Sequence, residues 1–375
     1  MKGKEFFMAI EKRWDNAIYF KPNKFKAFWD ERLKQEKDIL IITGLGWDPR
    51  MMALPKQLKS FGGTGMRNLH VISYKPSSTF ESPHKIFIDK NNQELDIIIE
   101  SWANKKQIEI NTRKNNNLYI GDEEISQYFI KYDFEQFTDI LVDISSLPKS
   151  LYFTLLYVLV RKAIEISQEI NVYVVACHDV DFDSQITESV DDTRLLKGFK
   201  GKVGRISQQK VPVIWAPILA TKNAIGLSKL YDIFTPKDIY PILPFPSQNP
   251  RNDDDLLIEY RKILADEWRV EPLNIIYAAE DDPLDVYRCL LSLFNKQKET
   301  LKPLGEVSMA VSPLSSKLSS IGAFMAACEE NMSIGHPIGR HNPPVDMTLD
   351  YWESAYMDRF EDKLHSIWLT GEPYV

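Results

Sequence analysis

Five short polar stretches, each closing an apolar run, carry the residue types that could do chemistry. Thr43-Gly44-Leu45-Gly46 and Asp48-Pro49-Arg50 follow Ile39 to Ile42, and Asp143-Ile144-Ser145-Ser146-Leu147-Pro148 follows Asp139 to Val142. Cys177-His178-Asp179 ends the run Asn171 to Ala176, and Glu280-Asp281-Asp282-Pro283 follows Asn274 to Ala278. Ser312-Pro313-Leu314-Ser315-Ser316-Lys317 follows Val307 to Val311. An apolar run, a small or acidic turn and a helix start is how a buried strand feeding a helix looks in sequence.

Their residue types divide the labour. Ser312, Ser315, Ser316 and Lys317 open a helix with hydroxyls, free backbone N–H groups and one cation, where the helix dipole is positive and favours an anion. Gly44 and Gly46 let the backbone come close to a ligand, Arg50 offers a forked donor for phosphate or carboxylate, and Ser145 adds a hydroxyl. Glu280 and Asp282, with Asp281 and Asp285, repel phosphate and suit sugar hydroxyls, a base amino group or a bridging metal. Asp143 closes an apolar strand, and a buried carboxylate needs a partner. In an enzyme, Asp143 or Glu280 would serve as general base or metal ligand. Bland roles compete at each place. Asp48-Pro49 and Asp282-Pro283 read equally as helix N-caps with first-turn prolines, and Ser146 before Pro148 as a similar cap. His178, Asp179, Asp181 and Asp183 have metal-ligand character or form a solvated acidic loop; no metal site is assigned and no cofactor is identified. His336 and His341 lie in a Pro/Gly-rich segment that could face a partner, a site or solvent.

The spacing of strand-like and helix-like segments predicts an α/β, Rossmann-like fold: a mostly parallel sheet with helices on both faces. In such a sheet ligands bind beyond the carboxyl ends of the strands, which makes loops 43–50, 143–148, 176–183, 278–285 and 312–317 the expected site rim. Residues 1–37, rich in aromatics and lysines, read as an N-terminal helical arm. The core is expected over 38–330, with a small antiparallel β excursion at about 85–121, where Lys90-Asn91-Asn92 and Arg113 to Asn117 look like turns. Residues 181–208 read as a long surface loop, and 331–375 as a C-terminal tail wrapping the surface.

Composition narrows the classes. The chain has 375 residues, 44% of them apolar, and a net charge of −7. That charge argues against broad nucleic-acid binding. No apolar run approaches the ~20 residues of a membrane span, and Phe6 to Ile10 is too short for a signal peptide. Cys177, Cys289 and Cys328 are sparse and sit in apolar segments, so buried free thiols and a cytoplasmic location are expected. G-x-x-x-x-G-K-[ST], G-x-S-x-G and H-E-x-x-H are all absent, and Pro49 replaces the third glycine of G-x-G-x-x-G.

The turns at 43–50, 145–148 and 312–317, set on Rossmann-like strands, resemble the ligand-sensing CARF and SAVED domains of prokaryotic antiviral systems. The resemblance implies recognition of cyclic or linear oligonucleotide signals and work with an effector partner. The expectation is therefore a sensor or accessory subunit that binds a nucleotide or other phosphate-bearing small molecule, with a protein partner or as a homo-oligomer. Two alternatives stand beside it: a hydrolase or transferase acting on a nucleotide or phosphorylated small molecule, and a structural subunit of a defence complex.

Overall fold

The computed structural model describes residues 12–76, 80–102, 104–166, 170–201, 211–345, 347–356 and 359–374. The chain opens with β1 (Ile18–Phe20) and α1 (Pro22–Arg32), then enters a parallel unit. This unit runs β2 (Ile39–Leu45), α2 (Ala53–Phe61), β3 (Arg67–Lys75), α3 (Lys85–Ile98), β4 (Asn104–Asn111), α4 (Gly121–Lys131), β5 (Asp139–Asp143), α5 (Lys149–Glu165) and β6 (Asn171–Cys177). A link of α6 (Val180–Gln185), β7 (Thr187–Glu188) and β8 (Asp192–Leu195) leads to a second unit. There β9 (Val213–Ile218), α7 (Ala224–Phe234), β10 (Asp238–Ile239), β11 (Ile242–Pro244), α8 (Asn252–Arg261) and β12 (Ile276–Ala278) precede α9 (Pro283–Thr300), β13 (Ser308–Pro313), α10 (Lys317–Glu330) and β14 (Ser333–Ile338). The chain finishes with β15 (His341–Asn342), α11 (Leu349–Tyr356) and β16 (Leu364–Thr370).

The fold is α/β with two mostly parallel sheets. The first has the order β1-β16-β6-β5-β2-β3-β4, and the second β12-β11-β9-β13-β14-β8 with β10 beside β9. From β6 to β4 every pairing is parallel, as is every pairing from β12 to β14; β16, β1 and β8 add antiparallel edges. Strands such as β2, ILIITGL, are buried at every position because helices cover both faces. One apolar core joins the two sheets through α5 and α10, with the Phe153 and Phe324 rings 6.0 Å apart. Separate clusters cover the outer faces, under α1 and α2 on the first sheet and under α7 and α8 on the second.

Several expectations need correction. The stretch 85–121 is not an antiparallel excursion: α3 and β4 occupy it, and β4 runs parallel to β3. Asn91, which looked like a turn residue, is fully buried on the helix stripe Asn91, Leu95, Ile98. Its amide donates to the Gly46 carbonyl at 2.8 Å and accepts from Trp352 Nε1 at 3.0 Å, tertiary partners that local sequence does not reveal. The antiparallel strands lie elsewhere. Residues 331–375 do not simply wrap the surface, since β14 is hydrogen-bonded on both sides and β16 lies between β1 and β6. In 1–37 a strand accompanies the helix, and residues 1–11 lie outside the described residues. The 181–208 stretch holds α6, β7 and β8 in its described part.

Gly322 sets the distance between α9 and α10. A Cβ there would meet the Pro283 carbonyl oxygen at 2.2 Å and Val286 Cβ at 2.9 Å. Alanine gains about 1 kcal/mol over glycine in a helix interior, yet overpacking costs about 1–3 kcal/mol. Because the obstacle includes backbone, Gly322→Ala is expected to destabilise the protein by about 1–2 kcal/mol net; a urea midpoint at or above the wild-type value would refute this close approach.

Candidate functional site

Each sheet has one place where chain order reverses. In the first, β3 and β4 build outward on one side of β2 and β5 and β6 on the other; in the second, β11 and β12 build on one side of β9 and β13 and β14 on the other. Loops leaving such a switch point diverge and open a crevice at the carboxyl edge. All four switch-point loops meet around a single cavity of about 390 Å³. Gly46 to Arg50 comes from after β2, Ser145 to Lys149 from after β5, Leu219 to Asn223 from after β9 and Leu314 to Lys317 from after β13. His178, Asp183, Glu188, Glu280, Asn252 and His341 complete the polar wall.

Of the residues expected at the site, Gly46, Asp48, Arg50, Ser145, Ser146, Glu280, Ser315, Ser316 and Lys317 line this cavity. Gly44, Asp143, Asp282 and Ser312 do not. Gly44 packs under the β5 loop, where a Cβ would meet Leu147 Cδ2 at 2.8 Å. Asp282 caps α9 by accepting from the Leu284 N–H at 2.9 Å, and Ser312 Oγ accepts from Trp215 Nε1 at 2.9 Å. The serines that do line the cavity partly serve the fold as well. Ser146 Oγ donates to the Gly44 carbonyl at 2.6 Å, Ser145 Oγ accepts from the Cys177 N–H at 2.8 Å, and Ser316 caps α10.

Arg50 is the main correction to the expected roles. Its guanidinium is fully buried, and all three nitrogens already have carboxylate partners. Nη2 and Nε donate to Asp48 at 2.7 and 3.0 Å, Nη1 donates to Asp183 at 2.7 Å, and the plane lies over the Phe182 ring at 4.8 Å. Burial works against the Asp183 carboxylate, but Arg50 and Lys317 hold its pKa below the usual range. The remaining acids of the suspected metal cluster go elsewhere. Asp179 caps α6 and pairs with Lys363 and Arg359, and Asp181 is exposed.

Two lysines form the cationic part of the wall. Lys317, in the first turn of α10, is half-buried and its ammonium makes no hydrogen bond or ion pair with a described residue. Burial and the nearby Arg50 push its pKa down. Lys149, in the first turn of α5, donates to the carbonyls of Leu314, at 3.2 Å, and Ser315. This bond ties the first unit to the second. Burial lowers its pKa to about 8, against the pull of Glu188, and Lys317 adds to the lowering. Sequence reading passed over Lys149 because it stopped at the Ser-Ser-Leu-Pro turn. It also misses 219–223. The helix that begins at Ala224 was the signal available.

Opposite charges occupy the rest of the wall. Glu280 is buried and accepts from the Gln248 N–H at 3.1 Å and from Asn252 Nδ2 at 3.4 Å. His341 Nε2 lies 3.5 Å from Glu188. His178 is 6% exposed, and neither ring nitrogen has a hydrogen-bond partner among the described residues; its Nδ1 stands 3.9 Å from Asp183. Burial lowers its pKa, partly offset by Asp183 and Glu280. Beneath the cavity, the fully buried Asp143 accepts from the Ser145 N–H at 2.9 Å, and burial raises its pKa to about 6.

These charges make two predictions. Arg50→Ala leaves Asp48 and Asp183 without their counter-charge, so unfolding by urea is expected to show a loss of about 3–5 kcal/mol, which Arg50→Lys fails to restore for want of the forked geometry. A variant as stable as wild type would remove Arg50 from this framework role. Asp143 works in the other direction. The unfolded carboxyl ionises near ~3.9, whereas the folded one holds its proton to about 6. Between those values the folded state binds more protons, so this group's contribution to stability falls as pH rises from about 4 to 6 and is level above. Relative to Asp143→Asn, the wild type should lose on the order of 3 kcal/mol across that window, read from unfolding curves at each pH. Parallel pH profiles for the two proteins would show that Asp143 is ionised in the fold.

No protein-family model and no curated protein matches the chain. Among solved structures, it is similar to a universal stress protein from Archaeoglobus fulgidus DSM 4304 at 10% identity, with 83% of this chain and 98% of that one covered and a TM-score of 0.24. It is also similar to the N-methyltransferase NodS from Bradyrhizobium japonicum WM9 at 9% identity, covering 47% and 88% with a TM-score of 0.21. Likenesses this distant carry no argument about activity, and the functional reading rests on the cavity.

Proposed function

We propose that the chain binds a nucleotide or another phosphate-bearing small molecule in the cavity between its two units, and acts as a sensor or accessory subunit. The observation that carries the reading is the convergence of α5 and α10, one from each unit, with a lysine in the first turn of each at one cavity wall. Helix N-termini and ammonium groups favour the same anion. The cavity volume falls within the ~300–1,000 Å³ of small-molecule sites. Glu280 and Asn252 give the wall carboxylate and amide groups suited to sugar hydroxyls or a base edge, so one ligand carrying both phosphate and sugar meets complementary surfaces. The setting in prokaryotic antiviral defence, with an effector partner, is supported by the sequence resemblance alone. No helix among the described residues is long and apolar enough to cross a membrane.

Turnover is the second reading, in which the chain is a hydrolase or transferase for the same ligand class. It is favoured by the gathering of perturbed groups in and below the cavity: His178 without a hydrogen bond to a described residue, Lys149 near 8 and Asp143 near 6.

A thermal-shift screen against mono-, di- and cyclic oligonucleotides, with and without Mg²⁺, tests both readings. Ligand at 100 times its Kd should add about 2.7 kcal/mol of stability, and mass spectrometry of the recovered ligand separates binding from turnover. A silent screen would reduce the rim to helix caps and leave the role of a structural subunit. Lys317→Ala is expected to weaken binding about 10–100-fold, the worth of one charge-assisted hydrogen bond, while leaving apo melting near wild type. Unchanged affinity would exclude Lys317 from the anion site. Affinity for an anionic ligand should also decline as pH rises past about 8, where Lys149 gives up its proton. A pH-independent Kd from 7 to 10 would exclude Lys149 as the contacting cation.

A further inference from the structure

α8 begins at the cavity with Asn252 and runs on into a wider π-helical turn, Lys262–Glu267. Its inner face buries Leu256 and Tyr260 against the second sheet. Another face has no covering element among the described residues. Asp254, Leu257, Ile258 and Arg261 follow one another at spacings of three, one and three residues, which places them on one stripe of the helix. Ile258 is 71% exposed, and Asp254 and Arg261 are exposed without an ion pair or side-chain hydrogen bond to a described residue. Beside this stripe is a groove of about 450 Å³ with Leu257, Ile258, Leu264, Val270, Pro272 and Ile275 in its walls. Leu273, in the same segment, is 97% exposed. The face is thus a large apolar residue and an open, mostly apolar groove; within α8 Asp254 and Arg261 bound the apolar pair, and the N-cap residue Arg251 adds a second base at the groove's edge.

The order of the charges names the occupant. On an antiparallel copy of the same helix, a twofold axis passing between Leu257 and Ile258 brings Asp254 opposite Arg261 of the other copy, and Arg261 opposite its Asp254. The same operation sets Leu257 against Ile258. One stripe therefore satisfies itself, with the apolar pair at the centre and two reciprocal ion pairs at the ends, as a twofold interface requires. We propose that a second copy of this chain docks here, α8 against α8 and antiparallel, to form a twofold dimer. None of the four stripe residues lines the cavity, which α8 meets through Asn252 and Leu256, so dimerisation stands or falls independently of the ligand reading.

Sedimentation velocity on the full chain, from about 1 to 100 µM, a range that spans the micromolar affinities of modest interfaces, tests the proposal. The wild type is expected to show a concentration-dependent dimer. Ile258→Asp should weaken it at least tenfold while leaving the circular dichroism spectrum and melting temperature unchanged, because the side chain is exposed. Asp254→Arg alone and Arg261→Asp alone each set like charges opposite one another and should also weaken the dimer. The double variant D254R/R261D reverses both ends together and should restore it. A monomer at every concentration overturns the proposal and leaves the groove to a different partner. A dimer insensitive to Ile258→Asp, or single swaps that the double variant does not rescue, overturns it equally.

Discussion

Parallel strands cannot be joined by a hairpin, and that constraint underlies the site. Each pair of parallel neighbours needs a crossover, and the crossover helix starts where its strand ends, so helix N-termini collect at one edge of each sheet. Reversal of strand order beside β2 and again beside β9 parts the loops at the middle of that edge. The two sheets share a core through α5 and α10, which brings the two edges to one cavity. Neither unit closes this space alone. Its four switch-point loops come from both, and the Lys149 ammonium on the carbonyls after β13 is a polar link between the two at the cavity.

Electrostatics within that space follow from which charges are answered by the protein itself. Arg50 is a cation at the cavity, but its Nε and Nη2 already donate to Asp48 and its Nη1 to Asp183. The triad carries one net negative charge at neutral pH and holds the loop after β2 against α6. Lys149 uses backbone carbonyls, which are dipoles and leave its charge uncancelled, and Lys317 makes no such bond with a described residue. Desolvation lowers the pKa of both. An entering anion reverses that cost, since an opposite charge nearby favours the protonated amine. The most conspicuous arginine of the turn is thus a framework group, and two less conspicuous lysines are the groups an anion would meet.

Much of this was legible in the sequence because it depends on local pattern. The apolar run Ile39 to Ile42 with Gly44 and Gly46 announced a strand and a close turn, and Ser316 before Lys317 announced a helix start with a cation. What was not legible depends on distant partners. Asn91 resembles a turn residue until its amide is seen between Gly46 and Trp352. His365 and Ser366 interrupt the apolar pattern of Leu364–Thr370, so a strand that pairs with β1 and β6, far away in sequence, looked like tail. Arg50 could be judged a free donor only while Asp183, 133 residues later, was not known to face it.

The shared core also decides what kind of device the cavity can be. Where two units meet through a small polar interface, hinge motion is the ordinary expectation. Here α5 and α10 pack directly, Phe153 against Phe324, inside one continuous apolar cluster. Opening the cleft as a hinge would expose that cluster to water, at a cost that rises with every apolar side chain uncovered. The width of the cavity is therefore set by core packing, and a ligand would act on the parts outside the core clusters: residues 220–223, Ser315 and Ser316, and the end of α6 beyond the buried Phe182 together with β7. Of these, α6 carries Asp183, one of the two carboxylates that neutralise Arg50, and β7 carries Glu188, which draws on Lys149. A ligand that repositions Lys149 or Lys317 shifts the charge balance at both elements, which gives a rigid cleft a route by which occupancy can alter its surface.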